Sequence, residues 1–216
     1  TPQSREFYPA TGVDDITSNN NDGFEVDTTF NTVQPKSYEL DGSDSHIFIP
    51  YSSQINPTSQ ISVGGWFYKD DWNVNGTEKL VSNTQSGGYS ISLDNGNNNS
   101  LAFRVQVDGT NRDATYALSN ISSGWHQIFG TYDGSTVKLY VDADLVGSFS
   151  DSGTMTYSNN VPTILGGEPN TTGSSITQHF EGEIAIVKIY DTALTENEIE
   201  TSYKSLRQRF SLPELT

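Results

Sequence analysis

The hydrophobic positions of this chain recur with a period of two. Val137, Leu139 and Val141 alternate with Thr136, Lys138, Tyr140 and Asp142, the spacing of a strand that buries one face and wets the other. Asp133-Gly134 stands just before this run and after Gly124-Trp125-His126-Gln127-Ile128-Phe129. Asp-Gly between two such runs signals a hairpin, and a type I′ turn is expected there. Asp142-Ala143-Asp144 marks a second tight turn before Leu145-Val146. Three antiparallel strands within ~25 residues predict an all-β sandwich or barrel.

The same signals recur along the chain. Tyr38-Glu39-Leu40 precedes the turn Asp41-Gly42-Ser43-Asp44, and Ile47-Phe48-Ile49 stops at Pro50. Further strand runs follow at 61–68, 79–81, 88–93, 102–107, 164–167 and 182–190, with turn residues between them. Asp94 to Asn99 reads as a turn, because it lacks the bidentate Glu of a calcium loop. One helix is expected near the end. Thr195 and Glu198 form a capping box, and Ile199, Tyr203, Leu206 and Phe210 follow at helical spacing. Residues 1–35 are polar and turn-rich. They read as a lead-in segment, or as an arm that docks on neighbouring virion or surface proteins. Residues 36–210 form the domain and 211–216 a tail.

A family is recognisable in the order of these motifs. The matching pieces are Tyr38-Glu-Leu-Asp41-Gly42-Ser-Asp44, Gly65-Trp66-Phe67, Gly88-Tyr89-Ser-Ile-Ser-Leu93, Gly124-Trp125-His126, Gly130-Thr-Tyr132-Asp133-Gly134, Leu139-Tyr140-Val141-Asp142, Ile164-Leu-Gly166-Gly167, and Phe180-Glu-Gly182-Glu-Ile184 through to Glu198-Ile199. Together they resemble the laminin-G-like members of the concanavalin A-like lectin/glucanase superfamily. The resemblance implies a two-sheet antiparallel jelly roll with one short C-terminal helix, usually a binding or adhesion module. Tyr203 to Phe210 also resembles the ends of such domains in marine bacteriophage virion proteins. Two positions depart from the pattern: Ala143 stands where relatives usually carry Gly, and Ala185 where they often carry an acid.

Composition narrows the function. Lys and Arg number 11 against 27 Asp and Glu, a formal net charge of −16. Binding to phosphate backbones or anionic bilayers relies on cationic side chains, so neither nucleic acid nor membrane insertion is expected. No apolar run reaches the length of a membrane span, and the opening Thr1-Pro2-Gln3-Ser4-Arg5 has no signal-peptide pattern. With no cysteine, disulfides and thiolate metal sites are ruled out.

Catalytic patterns are weak. Retaining glycosidases need two carboxylates about 5–5.5 Å apart. Glu25-Val26-Asp27 lacks the second Glu, and Glu181 with Glu183 sits at a strand start. There is no Gly-x-Ser-x-Gly elbow, and His46, His126 and His179 have no paired metal spacing. His126, Trp66 and Trp125 read as packed strand residues. The chain is therefore expected to be no enzyme. Calcium has candidate ligands on two tight turns, Asp41 with Asp44 and Asp142 with Asp144.

Trp72 lies in a polar loop, Lys69-Asp-Asp-Trp72-Asn73-Val-Asn75, and is the candidate stacking platform for a sugar ring. Asn73, Asn75, Asp108, Asn111 and Asn170 are candidates to fix its hydroxyls, and loops 108–114 and 168–178 are expected to share its rim. The resulting expectation is an extracellular or virion-surface module whose partner is a glycan or a host or cell surface. A purely structural virion component is the alternative, and a hydrolase or lyase a more distant one.

Overall fold

The computed structural model describes residues 4–9, 13–84, 87–94, 99–158 and 160–212. Within them the chain is an antiparallel two-sheet jelly-roll sandwich closed by one C-terminal helix. In chain order the strands are β1 (Ser4–Pro9), β2 (Val13–Asp15), β3 (Phe24–Val26), β4 (Thr29–Asn31), β5 (Ser37–Asp41), β6 (His46–Ile49), β7 (Ile61–Lys69), β8 (Thr77–Ser82) and β9 (Tyr89–Asp94). They continue with β10 (Ser100–Val107), β11 (Thr110–Ala117), β12 (Gly124–Tyr132), β13 (Thr136–Val141), β14 (Asp144–Ser150), β15 (Thr163–Leu165), β16 (Glu168–Pro169), β17 (Ile176–Thr177) and β18 (Glu181–Tyr190). The helix α1 is Glu196–Leu206.

One sheet runs β14-β13-β12-β7-β18-β1-β2, with β5 on β18 and β4 on β5; the other runs β11-β10-β9-β8-β15-β6-β3. The long β18 shares its outer edge between two partners. Glu181 to Ile184 pair with β5, and Val187 to Tyr190 pair with β1. Residues 1–35, read as a lead-in segment or a docking arm, contribute β1 to β4. Their strands are short, but each lies on an edge of the same chain: β1 on β18, β3 on β6 and β4 on β5. Pairing gives their backbone groups partners that an arm would have to find elsewhere. The tail beyond Leu212 and most of the 94–99 turn lie outside the described residues.

The alternation read from the sequence holds for the inward positions, but Tyr140, expected on the wet face, is buried against Phe129 and Ile199 because α1 covers that face. Val137, Leu139 and Val141 are buried in the core between the sheets, with Phe67, Phe103, Ile128 and Tyr132. Phe103 lies flat over Gly130, where a Cβ would stand 2.0 Å from its ring. Trp66 faces the other way. It stacks under Phe210 at 4.1 Å and near Tyr203 at 5.6 Å, so α1 and the following turn Arg207–Phe210 cover the outer face of the larger sheet. The capping box at Thr195 and Glu198 is present. Ala185 is the extra residue of a bulge, since Ile184 pairs with Phe67 and Ile186 with Trp66. It is buried in the cluster under Tyr203 and Phe210. A carboxylate there would lose its water, which accounts for the departure from the family pattern.

The turns differ from the reading in one respect. At Asp133-Gly134 only the glycine has positive φ, at 93°. Asp133 Oδ1 accepts from Ser135 N and Thr136 N, both at 2.8 Å, and this Asx turn closes a wider loop than two residues. The two-residue turns with positive φ at both positions are Asp108-Gly109 (46° and 78°) and Asp142-Ala143 (51° and 74°).

Candidate functional site

The end of β5, the end of β7 with the loop after it, and the starts of β8 and β18 enclose a cleft of about 580 Å³ at one end of the sandwich. Its shape follows from the loop after β7. Trp72 and Val74 are buried while Asn73 and Asn75 are exposed, so the loop keeps the alternation of a strand. Asp71 Oδ1 accepts from Asn73 N and Nδ2, each at 2.9 Å. These bonds hold Asp71 below the ordinary carboxyl range and pin the loop.

The stacking-platform reading of Trp72 is corrected by its burial, which leaves 1% exposed. Its indole meets His126 edge-on at 5.6 Å beneath the cleft. It supports the floor and offers no face to a ligand. The exposed aromatic of the cleft is instead Tyr68, half-buried against Trp125. Its hydroxyl donates to Asp70 Oδ1 at 2.6 Å, and this bond raises the phenol above its usual range.

Of the other glycan candidates, Asn73 and Asn75 line this cleft. Asp108 and Asn111 lie on the β10–β11 hairpin, at the end where β10 finishes. Asp108 Oδ1 accepts from Thr154 N at 3.2 Å, and Asn111 Oδ1 accepts from Gln106 at 3.4 Å. Asn170 ties its own loop through bonds from Thr172 N and Ser174 N at 3.2 and 3.0 Å. The 108–114 hairpin lies at the far end of β10 from the β7–β8 loop, while the 168–178 loop meets β8, where Lys79 N donates to the Gln178 carbonyl at 2.9 Å.

The cleft is acidic. Glu39, Asp41, Asp70, Asp71, Glu78, Glu181 and Glu183 line it with a single cation, Lys69. Lys69 Nζ is held by Glu78 Oε2 at 2.9 Å and by the Glu181 carbonyl at 2.7 Å. Glu183 accepts from the Ser37 hydroxyl. These residues come from four separated segments, and no local pattern announces their meeting.

At the calcium candidates most carboxylate oxygens accept hydrogen bonds from the protein itself. Asp41 Oδ1 accepts from Ser43 N and Ser45 Oγ at 2.9 and 2.7 Å, and Oδ2 accepts from Ser43 Oγ at 2.7 Å. These bonds, from Ser43 foremost, push its carboxyl well below the usual range. Asp44 accepts from Ser43 Oγ at 3.3 Å and is exposed. Asp142 Oδ1 accepts from Gln127 N at 2.9 Å, and Oδ2 faces His126 Nδ1 at 2.6 Å. Asp144 opens β14 with its side chain exposed. Among the described residues no group of three or more His, Asp or Glu converges in a way that could hold a metal ion.

Comparison with known proteins agrees with this architecture. The fold matches the botulinum neurotoxin serotype C1 binding domain with a TM-score of 0.73 and 13% identity, over 95% of this chain and 52% of that one. The binding domain of Paraclostridial Mosquitocidal Protein 1 matches with 0.72 and 21%, over 94% and 52%. The botulinum neurotoxin serotype D ligand binding domain, in complex with N-acetylneuraminic acid, matches with 0.71 and 15%, over 93% and 50%. The chain thus spans about half the length of each, and at these identities the likeness is one of fold. No curated protein matches the chain in sequence. A family model described as the concanavalin A-like lectin/glucanases superfamily, of the Laminin_G_3 type, covers residues 41–200. With its motifs in order on a two-sheet jelly roll, the chain belongs to the concanavalin A-like lectin/glucanases superfamily.

Proposed function

We propose that the chain is a non-enzymatic glycan-binding module displayed on a cell or virion exterior, and that the β5–β7–β18 cleft holds its ligand. The observation that carries this reading is the cleft itself. Asn73, Asn75 and Tyr68 converge there with carboxylate acceptors on a loop pinned from beneath by Trp72. Amides, a phenol and carboxylates are the groups that hold sugar hydroxyls. Fold alone does not assign this role; the placement of these side chains is its support. A toxin ligand binding domain of similar fold, solved in complex with N-acetylneuraminic acid, makes a sugar the first class of ligand to test.

The carboxylates argue against hydrolysis. A glycosidase needs one carboxyl held protonated near neutrality. Here Asp41 and Asp71 are pushed the other way by their own hydrogen bonds. Glu78 is tied to Lys69 and Glu183 to Ser37. The charge also sets the ligand class. Seven carboxylates around one neutralised lysine repel anionic sugars and favour neutral or amine-bearing ones.

A glycan array tests this directly. The wild type is expected to retain neutral or amino-sugar glycans and to leave sialylated and uronic ones unbound. Asn73→Ala with Asn75→Ala is expected to weaken retention about tenfold or more. A blank array with folded protein, or reducing ends released from the bound polysaccharide, would refute the reading.

A further inference from the structure

A second cavity, of about 410 Å³, opens between the loop after β2 and the segment after β6. It lies toward the other end of the sandwich. β5 runs into the acidic cleft at Asp41, and β6 leads away from it to Pro50 and Tyr51. Asn19, Asn20, Asp22, Tyr51 and Ser53 are among its walls.

Two groups on those walls are free. Tyr51 is 40% exposed, and among the described residues it makes no hydrogen bond or ring contact. Asn20 is exposed at φ 52°, and its amide is likewise without a partner. The loop that presents them is nevertheless tightly built. Asp15, 6% exposed, sits beneath it. Its Oδ1 accepts from Thr17 N and Oγ1 at 2.9 and 2.6 Å, and its Oδ2 from Asn21 N and Nδ2 at 3.0 and 3.1 Å. Asp22 Oδ1 accepts from Asp15 N at 2.9 Å, and Asn21 Nδ2 reaches Gln54 across the cavity floor at 3.3 Å. Burial pushes the Asp15 carboxyl up, but the bonds from Thr17 and Asn21 outweigh it and hold the carboxyl below its ordinary value. The inward groups are bonded to one another, while the outward ones are left unpaired on a fixed frame. Preorganisation of this kind lowers the cost of binding.

We infer that this cavity is a second carbohydrate site, taking a neutral hexose or N-acetylhexosamine with its apolar face on the Tyr51 ring and its hydroxyls on Asn20 and Asp22. A half-exposed aromatic beside amide and carboxylate groups suits a ring with one C–H face and a polar edge. The walls contain one carboxylate and no cation, so a sialic acid or uronate finds repulsion and no partner. The inference shares the glycan reading of the protein but not its site.

Saturation-transfer NMR with methyl glycosides of glucose, galactose, mannose and N-acetylglucosamine, and with sialyllactose, tests it. Tyr51 ring signals are expected to respond to at least one neutral glycoside and not to sialyllactose. Tyr51→Ala is expected to weaken that response about tenfold or more at unchanged melting temperature, and Asn20→Ala to weaken it less. Asn73→Ala/Asn75→Ala is expected to leave it intact. If Tyr51→Ala binds as the wild type does while the Asn73/Asn75 variant loses binding, this site is refuted and the cleft stands. If no neutral glycoside binds the wild type, this site is refuted, whatever amine-bearing glycans the cleft retains on an array.

Discussion

Both ring nitrogens of His126 face acceptors. Nδ1 lies 2.6 Å from Asp142 Oδ2 and Nε2 lies 2.9 Å from the Ser122 carbonyl. A carbonyl can only accept, so Nε2 donates to Ser122, and the carboxylate at Nδ1 favours the protonated ring. Burial opposes this, but the hydrogen bond and charge of Asp142 outweigh it, and the folded pKa is raised. The stability it supplies is complete below the unfolded value of about 6.5 and is lost as pH rises through the higher folded value. Thermal melts of wild type and His126→Gln should therefore differ most in mild acid and converge in alkali; a gap that widens with pH would contradict the assignment. Trp72 tests the cleft floor in the same way. Trp72→Ala is expected to cost about 3–5 kcal/mol in urea unfolding, because a buried indole leaves a cavity. A stable variant that merely lost sugar binding would restore the platform reading. Its burial is legible in Trp72-Asn73-Val74-Asn75, where apolar and polar positions alternate. The polar surroundings hide that pattern from a reading by loop composition.

Elements built from local signals were the readable ones. The β12–β14 meander and α1 depend on alternation, turn residues and a capping box within a few positions of one another. β2, β3 and β4 have three residues each, too few to show a period, and they exist because β1, β6 and β5 offer them an edge. Removing residues 1–31 is accordingly expected to lower the melting temperature and promote aggregation, since it uncovers the backbone of β18 and β6. A truncated chain that melted as the full one does would mean these strands add nothing. The outer face carries a second expectation. Phe210→Ala removes the ring stacked on Trp66 and should cost about 3 kcal/mol or more, read as a lowered urea midpoint. An unchanged midpoint would show that α1 lies on the sheet without support from the turn after it.

At the scale of the whole molecule, charge dominates. A net charge of −16 repels itself, and seven of the carboxylates line the cleft. Raising salt from about 10 mM to 150 mM shortens the Debye length to about 8 Å and should raise the melting temperature. The turn aspartates already have hydrogen-bond partners, so a chelator is expected to leave it unchanged; a fall on chelation would show that a cation is held. The cleft was not legible in the sequence. Asp41, Tyr68, Asn73 and Glu181 lie in segments that only the sheet order brings together, and Tyr51 meets Asn20 in the same way. Chemical-shift mapping of a neutral oligosaccharide onto the folded, isotope-labelled protein tests the central claim most directly. The account predicts shifts confined to residues 68–75 and 181–183 at one end, and 19–22 and 50–53 at the other. A well-dispersed spectrum that no neutral or amine-bearing glycan perturbs, or shifts spread over the sheet faces instead of these loops, would contradict it.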